Sequence, residues 1–354
     1  MTSPAREAST LALRRIAVIG AGPMGASLAA LTSSRLPTVL VARNRLRAQR
    51  IRRFGIELGG ALAARGRPEV VGSIEDLAEI HPIDLVFIAT KTTALAEVCR
   101  ALRPHVGELP FLVSYQNGIE PGRTLIRTLG TPRVVRMVLR YGARIEESAE
   151  LEEPLRVWVG LHHPPHYVGG EGEAQDFARK LAPRMAEMGL PMEFTADIEA
   201  EAWRKGIENA AGNPVAALVQ APLGEILDSP GRALVERLLD EGVRVARGAG
   251  IPIEPGYVET VLATMSGGRS HLPSMAQDVR AGRPTEITQL NEQIARRGRE
   301  LGIPTPSHDT ILDLVRVFDW RAATSRRREG SSDAKPGGDG VHPKGEPCTA
   351  AAGH

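Results

Sequence analysis

Short apolar runs rich in β-branched residues alternate with helix-spaced patterns from Arg15 to about residue 160. The strand-like runs fall at 16–20, 38–42, 70–72, 84–90 and 111–115, and helix-length segments lie between them at 26–33, 46–54, 74–80 and 93–102. Continuous apolar strands separated by crossover helices predict a parallel sheet covered on both faces. Two further runs, 134–139 and 156–161, are expected to extend that sheet with a different pairing. Past Asp197 the texture turns helical, with helical spacing at 199–219, 232–249, 257–265, 286–301 and 307–320. Gly250-Ile-Pro and Gly302-Ile-Pro each read as a helix stop followed by a proline that cannot continue the helix. The pattern therefore predicts an α/β class protein, with a doubly wound sheet domain over 15–196 and an all-helical domain over 197–324. Residues 1–14 and 325–354 lack apolar periodicity and are expected to be disordered.

Composition narrows the partners more than the fold. At 354 residues the chain is long enough for two cored domains, and its formal net charge is only +2. Aromatics make up 4% of the residues and no basic stripe is interleaved with them, which argues against nucleic acid. The two cysteines, Cys99 and Cys348, cannot build a disulfide framework, so a reducing, cytoplasmic setting is expected. No apolar run approaches the ~18 residues of a spanning helix, and no membrane association is expected. His162, His163 and His166 invite a metal reading, but no cysteine or acid cluster completes the set, and no metal is expected. Oligomeric state stays open, a homodimer among the options.

The candidate chemistry begins at Gly20-Ala21-Gly22-Pro23-Met24-Gly25, which follows the first strand and opens a helix of small residues. That spacing permits a tight turn at Gly20, close backbone approach of a pyrophosphate at Gly22 and close helix–strand packing at Gly25. The helix N-terminus adds amide donors and a favourable dipole. These features predict a Rossmann-like dinucleotide site. The second strand ends Val-Ala-Arg43-Asn44, without the acid that would hold an NAD ribose, and a guanidinium there suits the 2′-phosphate of NADP. Lys91 and Asn117 follow the strand runs 84–90 and 111–115, at the edge where open α/β sheets bind ligands.

Lysine is scarce: the chain holds five, against 39 arginines. One of the five, Lys205, lies in Lys205-Gly-Ile-Glu-Asn209-Ala-Ala-Gly-Asn213-Pro, and its spacing from Asn209 and Asn213 places all three on one helix face. Arginine cannot give up a proton in a protein, whereas lysine can act as an acid. Together with Ala89-Thr-Lys91, Gln116-Asn117-Gly118 and the stretch from Ser274 to Thr285-Glu286, these segments resemble the ketopantoate reductases over about residues 15–320. The resemblance implies a Rossmann domain, a helical domain, NADP as cofactor and a 2-oxo acid substrate in the cleft between them, as in pantothenate synthesis. It implies Lys205 as the general acid that protonates the C2 oxygen during hydride transfer. It further implies substrate contacts from Asn117, Asn209, Asn213 and Ser274, and cofactor contacts from Lys91, Asn117 and the backbone of Ala143. Glu286 would touch both cofactor and substrate. Leu223 departs from the pattern, standing where some members carry a substrate-binding asparagine. A β-hydroxyacid dehydrogenase and a non-catalytic NADP-binding sensor are the alternative readings.

Overall fold

The computed structural model describes residues 11–80, 82–107, 111–146, 152–267, 270 and 272–332. Its strands are β1 (Ile16–Ile19), β2 (Thr38–Val41), β3 (Ile56–Gly60), β4 (Ala64–Gly66), β5 (Glu69–Val71) and β6 (Leu85–Ile88). They continue with β7 (Leu112–Ser114), β8 (Val134–Val138), β9 (Tyr141–Ile145), β10 (Leu155–His162), β11 (His166–Gly169) and β12 (Met192–Phe194). An eight-stranded sheet runs in the order β12-β11-β8-β7-β6-β1-β2-β5. All its pairings are parallel except β8 with β11. Strands β1, β2, β6 and β7 are buried at every residue, as a sheet covered on both faces requires. The chain moves outward from β1 to one edge, then returns to β6 and builds toward the other, so β1 and β6 flank the switch point.

The segment expected to extend this sheet at 156–161 lies elsewhere. Strand β10 joins β9, β3 and β4 in a separate four-stranded sheet. The reason is its strict alternation: Leu155, Val157 and Val159 are buried while Arg156, Trp158 and Gly160 face outward. A strand with one polar face cannot occupy a layer covered on both sides, and β3, β4 and β9 instead pack on the helix Pro23–Ser33.

The helical half is built around Ile198–Val219. Pro214 sits inside this helix, and it has no N–H to give the carbonyl of Ala210. Asn291 Nδ2 donates to that carbonyl at 2.9 Å, so the helix continues to Val219. Arg232–Gly248, Tyr257–Gly267, Asn291–Leu301 and Pro306–Ser332 pack around it or beside it. The last helix runs eight residues past the boundary expected at 324, and the remainder of the expected tail lies outside the described residues. At the other end Leu13 is buried, and Arg14 binds Asp84 through both its backbone and its guanidinium, so order begins before residue 15. Residues 1–10 lie outside the described range.

Candidate active site

The glycine loop has the geometry that its spacing demands. Gly20 adopts φ +111°, and a Cβ there would meet Thr90 at 3.0 Å. A Cβ on Gly25 would fall on the carbonyl oxygen of Gly20, whereas nothing lies within 4 Å of one built on Gly22. The loop is thus closed beneath and open above, the cradle a pyrophosphate needs, and the helix Pro23–Ser33 starts there with its first amides unpaired. Ala21, Pro23 and Met24 are half-buried in the same turn. Arg47, which the sequence did not single out, donates from Nη1 to the Ala21 carbonyl at 3.0 Å, and burial lowers its pKa. Arg43 stands exposed beyond β2, its Nη1 2.5 Å from Glu97 Oε1.

Across the sheet edge, the two halves meet in a seam. Lys91 Nζ lies 2.6 Å from Asp278 Oδ2 and donates to the Pro284 carbonyl at 3.3 Å. Glu286 Oε1 accepts from the Thr92 amide at 3.0 Å and the Thr92 hydroxyl at 2.7 Å. Thr92 follows Lys91 and Asp278 lies within the Ser274–Glu286 stretch, but only the fold brings Thr92 to Glu286 and Asp278 to Lys91. Inside the seam, Asn117, Asn209, Asn213, Ser274 and Glu286 line one cavity together with Met275, Asp278 and Leu290. Its volume is about 10 Å³, the size of a single water. Leu223 packs against Gly212 beside this cavity.

Lys205 is not among the cavity-lining residues. It lies one turn before Asn209 on the same helix, and its Nζ is 3.4 Å from Glu208 Oε2. Glu208 Oε1 is 3.6 Å from Arg140 Nη2 and accepts from the Tyr257 hydroxyl at 3.4 Å. Burial, followed by the Glu208 charge, pushes the Tyr257 phenol well above its usual range, so it remains a donor. Ala143 sits three residues beyond Arg140, in β9 and paired with Val159.

A larger groove of about 420 Å³ opens at the amino-terminal edge of β1, β2 and β5, among Arg15, Arg35, Arg67 and Glu69. Size favours it, but none of the residues above reaches it, and open parallel sheets bind ligands at the opposite edge. The seam is the candidate site. No group of three or more His, Cys, Asp or Glu residues among those described could hold a metal ion, and no described helix is long and apolar enough to cross a membrane.

The family model described as ketopantoate reductase PanE/ApbA matches residues 16–163, and its C-terminal counterpart matches residues 197–319. The chain belongs to the ketopantoate reductase family. It is accordingly an oxidoreductase acting on a CH–OH group, within a family of NAD(P)-dependent reductases. Among its relatives, the 2-dehydropantoate 2-reductase of Archaeoglobus fulgidus is 27% identical over 307 residues, spanning 86% of this chain and 97% of that protein. The crystal structure of a PanE/ApbA family ketopantoate reductase from Ralstonia eutropha JMP134 has a TM-score of 0.75 at 25% identity, covering 87% of this chain and 99% of that one. A D-mandelate dehydrogenase solved with NADH and anilino(oxo)acetate shares the fold at TM-score 0.75 and 22% identity, with the same coverage. In this chain the glycine loop lies on the sheet side of the seam and the Lys205–Asn213 stripe on the helical side.

Proposed function

We propose that the protein reduces ketopantoate (2-dehydropantoate) to pantoate with NADPH, as a step of pantothenate synthesis. One observation carries the reading most directly. Asn209 and Asn213 meet Asn117, Ser274 and Glu286 around a single cavity at the carboxyl edge of the sheet. The open face of the glycine loop fits a dinucleotide, and Arg43 is the group for a 2′-phosphate. When bound, the nicotinamide supplies the hydride.

The chain's own residues supply the rest. Lys205 delivers a proton to the substrate oxygen as negative charge develops there, which an ammonium does and a guanidinium cannot. Asn209, Asn213 and Asn117 offer amide groups to the carboxylate and hydroxyl of a 2-oxo acid, and Ser274 adds a hydroxyl. Lys91 and Glu286 serve the cofactor from the seam, each reaching from one half toward the other.

Leu223 favours a second reading, a different branched 2-oxo acid. An apolar side chain there removes a hydrogen-bonding partner that a hydroxyl-bearing substrate would use, and a site that recognises a hydroxyl rejects analogues strongly only when it has such a partner. The deciding experiment follows NADPH consumption with ketopantoate set beside other branched 2-oxo acids, with NADH as the second cofactor. The proposal expects ketopantoate with NADPH to give the highest kcat/KM. A higher value for a 2-oxo acid lacking the hydroxyl transfers the assignment to that substrate. Oxidation of 3-hydroxy acids without reduction of any 2-oxo acid points to a β-hydroxyacid dehydrogenase, and tight NADPH binding without turnover points to a sensor.

A further inference from the structure

Between the proposed acid and the nucleotide half stands a carboxylate that the mechanism above does not use. Glu208 is three residues beyond Lys205 on the helix Ile198–Val219, with 15% of its side chain exposed. One oxygen lies 3.4 Å from Lys205 Nζ; the other lies 3.6 Å from Arg140 and takes the longer of the Tyr257 hydroxyl's two contacts. The stronger Tyr257 bond, 2.7 Å, goes to the Arg204 carbonyl and ties the start of Tyr257–Gly267 to the same helix turn.

The two cations differ in freedom. Arg140 is held by its backbone on both sides: its N–H donates to His166 Nδ1 at 3.0 Å and its carbonyl accepts from the His163 amide at 2.8 Å. Its Nε is buried without a hydrogen-bond partner among the described residues, and its Nη2 lies 3.6 Å from Glu208 Oε1. Lys205 carries its ammonium on a flexible four-carbon stem, and nothing in the backbone fixes where that amine points. Glu208 lies between the two cations, 3.4 Å from Lys205 Nζ and 3.6 Å from Arg140 Nη2, across the junction of the two halves.

We propose that Glu208 is a positioning residue for Lys205, its carboxylate holding the ammonium at the junction against the anchor of Arg140. This rests on Lys205 being the proton donor. An ammonium held there suits an anionic substrate and the oxyanion formed from it. Loss of the carboxylate leaves the amine free to wander, and small misplacements of a reacting group are costly in rate.

Two measurements test it on the full chain. In Glu208→Gln, kcat for the 2-oxo acid should fall by about tenfold or more, while KM and NADPH affinity stay within about threefold, and Glu208→Asp should recover part of the loss. The thermal midpoint should hold within a few degrees. Independently of turnover, amine acylation read by mass spectrometry should label Lys205 about threefold faster in Glu208→Gln, with the exposed Lys180 as internal standard. A kcat within about twofold of the parent, or an unchanged labelling ratio, overturns the positioning role. So does a kcat loss that tracks a matching fall in thermal midpoint and is not recovered by aspartate. Lys205→Ala is measured beside them. If it keeps its kcat, the general-acid reading fails; if it abolishes turnover while Glu208→Gln does not, only the role of Glu208 is lost.

Discussion

At the end of β2, Arg43 faces a choice between partners. Its guanidinium now pairs with Glu97, both side chains being more than half exposed. Such surface pairs are worth at most about 1 kcal/mol. A charge-assisted bond to a phosphate is worth roughly 1.5–3 kcal/mol, so a 2′-phosphate outcompetes the carboxylate. Arg43→Ala should therefore weaken NADPH binding by about tenfold, or ~1.4 kcal/mol, and leave NADH within about twofold. Titration of both cofactors by fluorescence decides it: an equal loss for the two would remove Arg43 from the discrimination. Arg47 does not share this exposure. It donates to the Ala21 carbonyl in the glycine loop.

Among the elements, the helix Ile198–Val219 shows how a local rule is overridden and at what cost. Pro214 leaves the Ala210 carbonyl without its helical partner, and fully buried Asn291 supplies one while also donating to His308 Nδ1 at 3.0 Å. Asn291→Ala strands both acceptors, and each buried unsatisfied group costs about 1–3 kcal/mol. Calorimetry should show the thermal midpoint falling by roughly 5 °C or more at ~2–4 °C per kcal/mol. Adding Pro214→Ala returns an N–H to Ala210 and should recover part of that loss; strictly additive losses would show that the two sites are not coupled. This compensation was not legible in the sequence, where helical spacing over 199–219 runs straight through Pro214 without naming the partner for the Ala210 carbonyl. What was legible followed from period alone. The buried runs of β1, β2, β6, β7 and β8 and the helices of the second half appear where apolar spacing placed them. Strands β3, β4, β9, β11 and β12 did not announce themselves, because they are short or glycine-rich and take their strand character from pairing partners distant in sequence. The same holds at the site. The glycine loop and the Lys205–Asn209–Asn213 stripe are local patterns, whereas Arg140 with Glu208 and Lys91 with Asp278 depend on which segments the fold brings together. Trp320, on the last helix, is two-thirds exposed, since helical spacing does not say which side of a terminal helix is covered.

Over the whole molecule, the two halves are joined through the seam and share one acid-sensitive feature. The cavity of about 10 Å³ is far below the ~300 Å³ of an ordinary ligand pocket, and Asp278 and Glu286 in its lining also hold the Lys91–Asp278 and Thr92–Glu286 contacts. Stability depends on a buried histidine in each half. His166, the first residue of β11, and His308, on the last helix, are both fully buried, and burial lowers each pKa to about 4. His308 has both nitrogens engaged, accepting from Asn291 and donating to the Leu238 carbonyl, which leaves no room for a second proton. The unfolded chain titrates its histidines near 6.5, so below that pH the unfolded state binds protons that the fold refuses. The stability these groups contribute is complete above about pH 6.5 and is lost progressively as pH falls toward 4, at up to ~3 kcal/mol for each histidine. Asp84 belongs to a lower window: burial raises its pKa, but hydrogen bonds from Arg14 and Arg15 outweigh this and hold it low, so its loss comes only below the ordinary carboxylate range. Glu199 works in the opposite sense, raised by burial against the pull of Arg123 and Arg136, and it returns some stability on acidification. The histidines dominate between pH 6.5 and 4.5, and the thermal midpoint should drop steadily across that interval. His308→Gln should flatten the slope by about half even if its midpoint at neutral pH is lower. A midpoint that stays level from pH 7 to 5 in the unmodified protein would mean that neither histidine is held neutral by the fold.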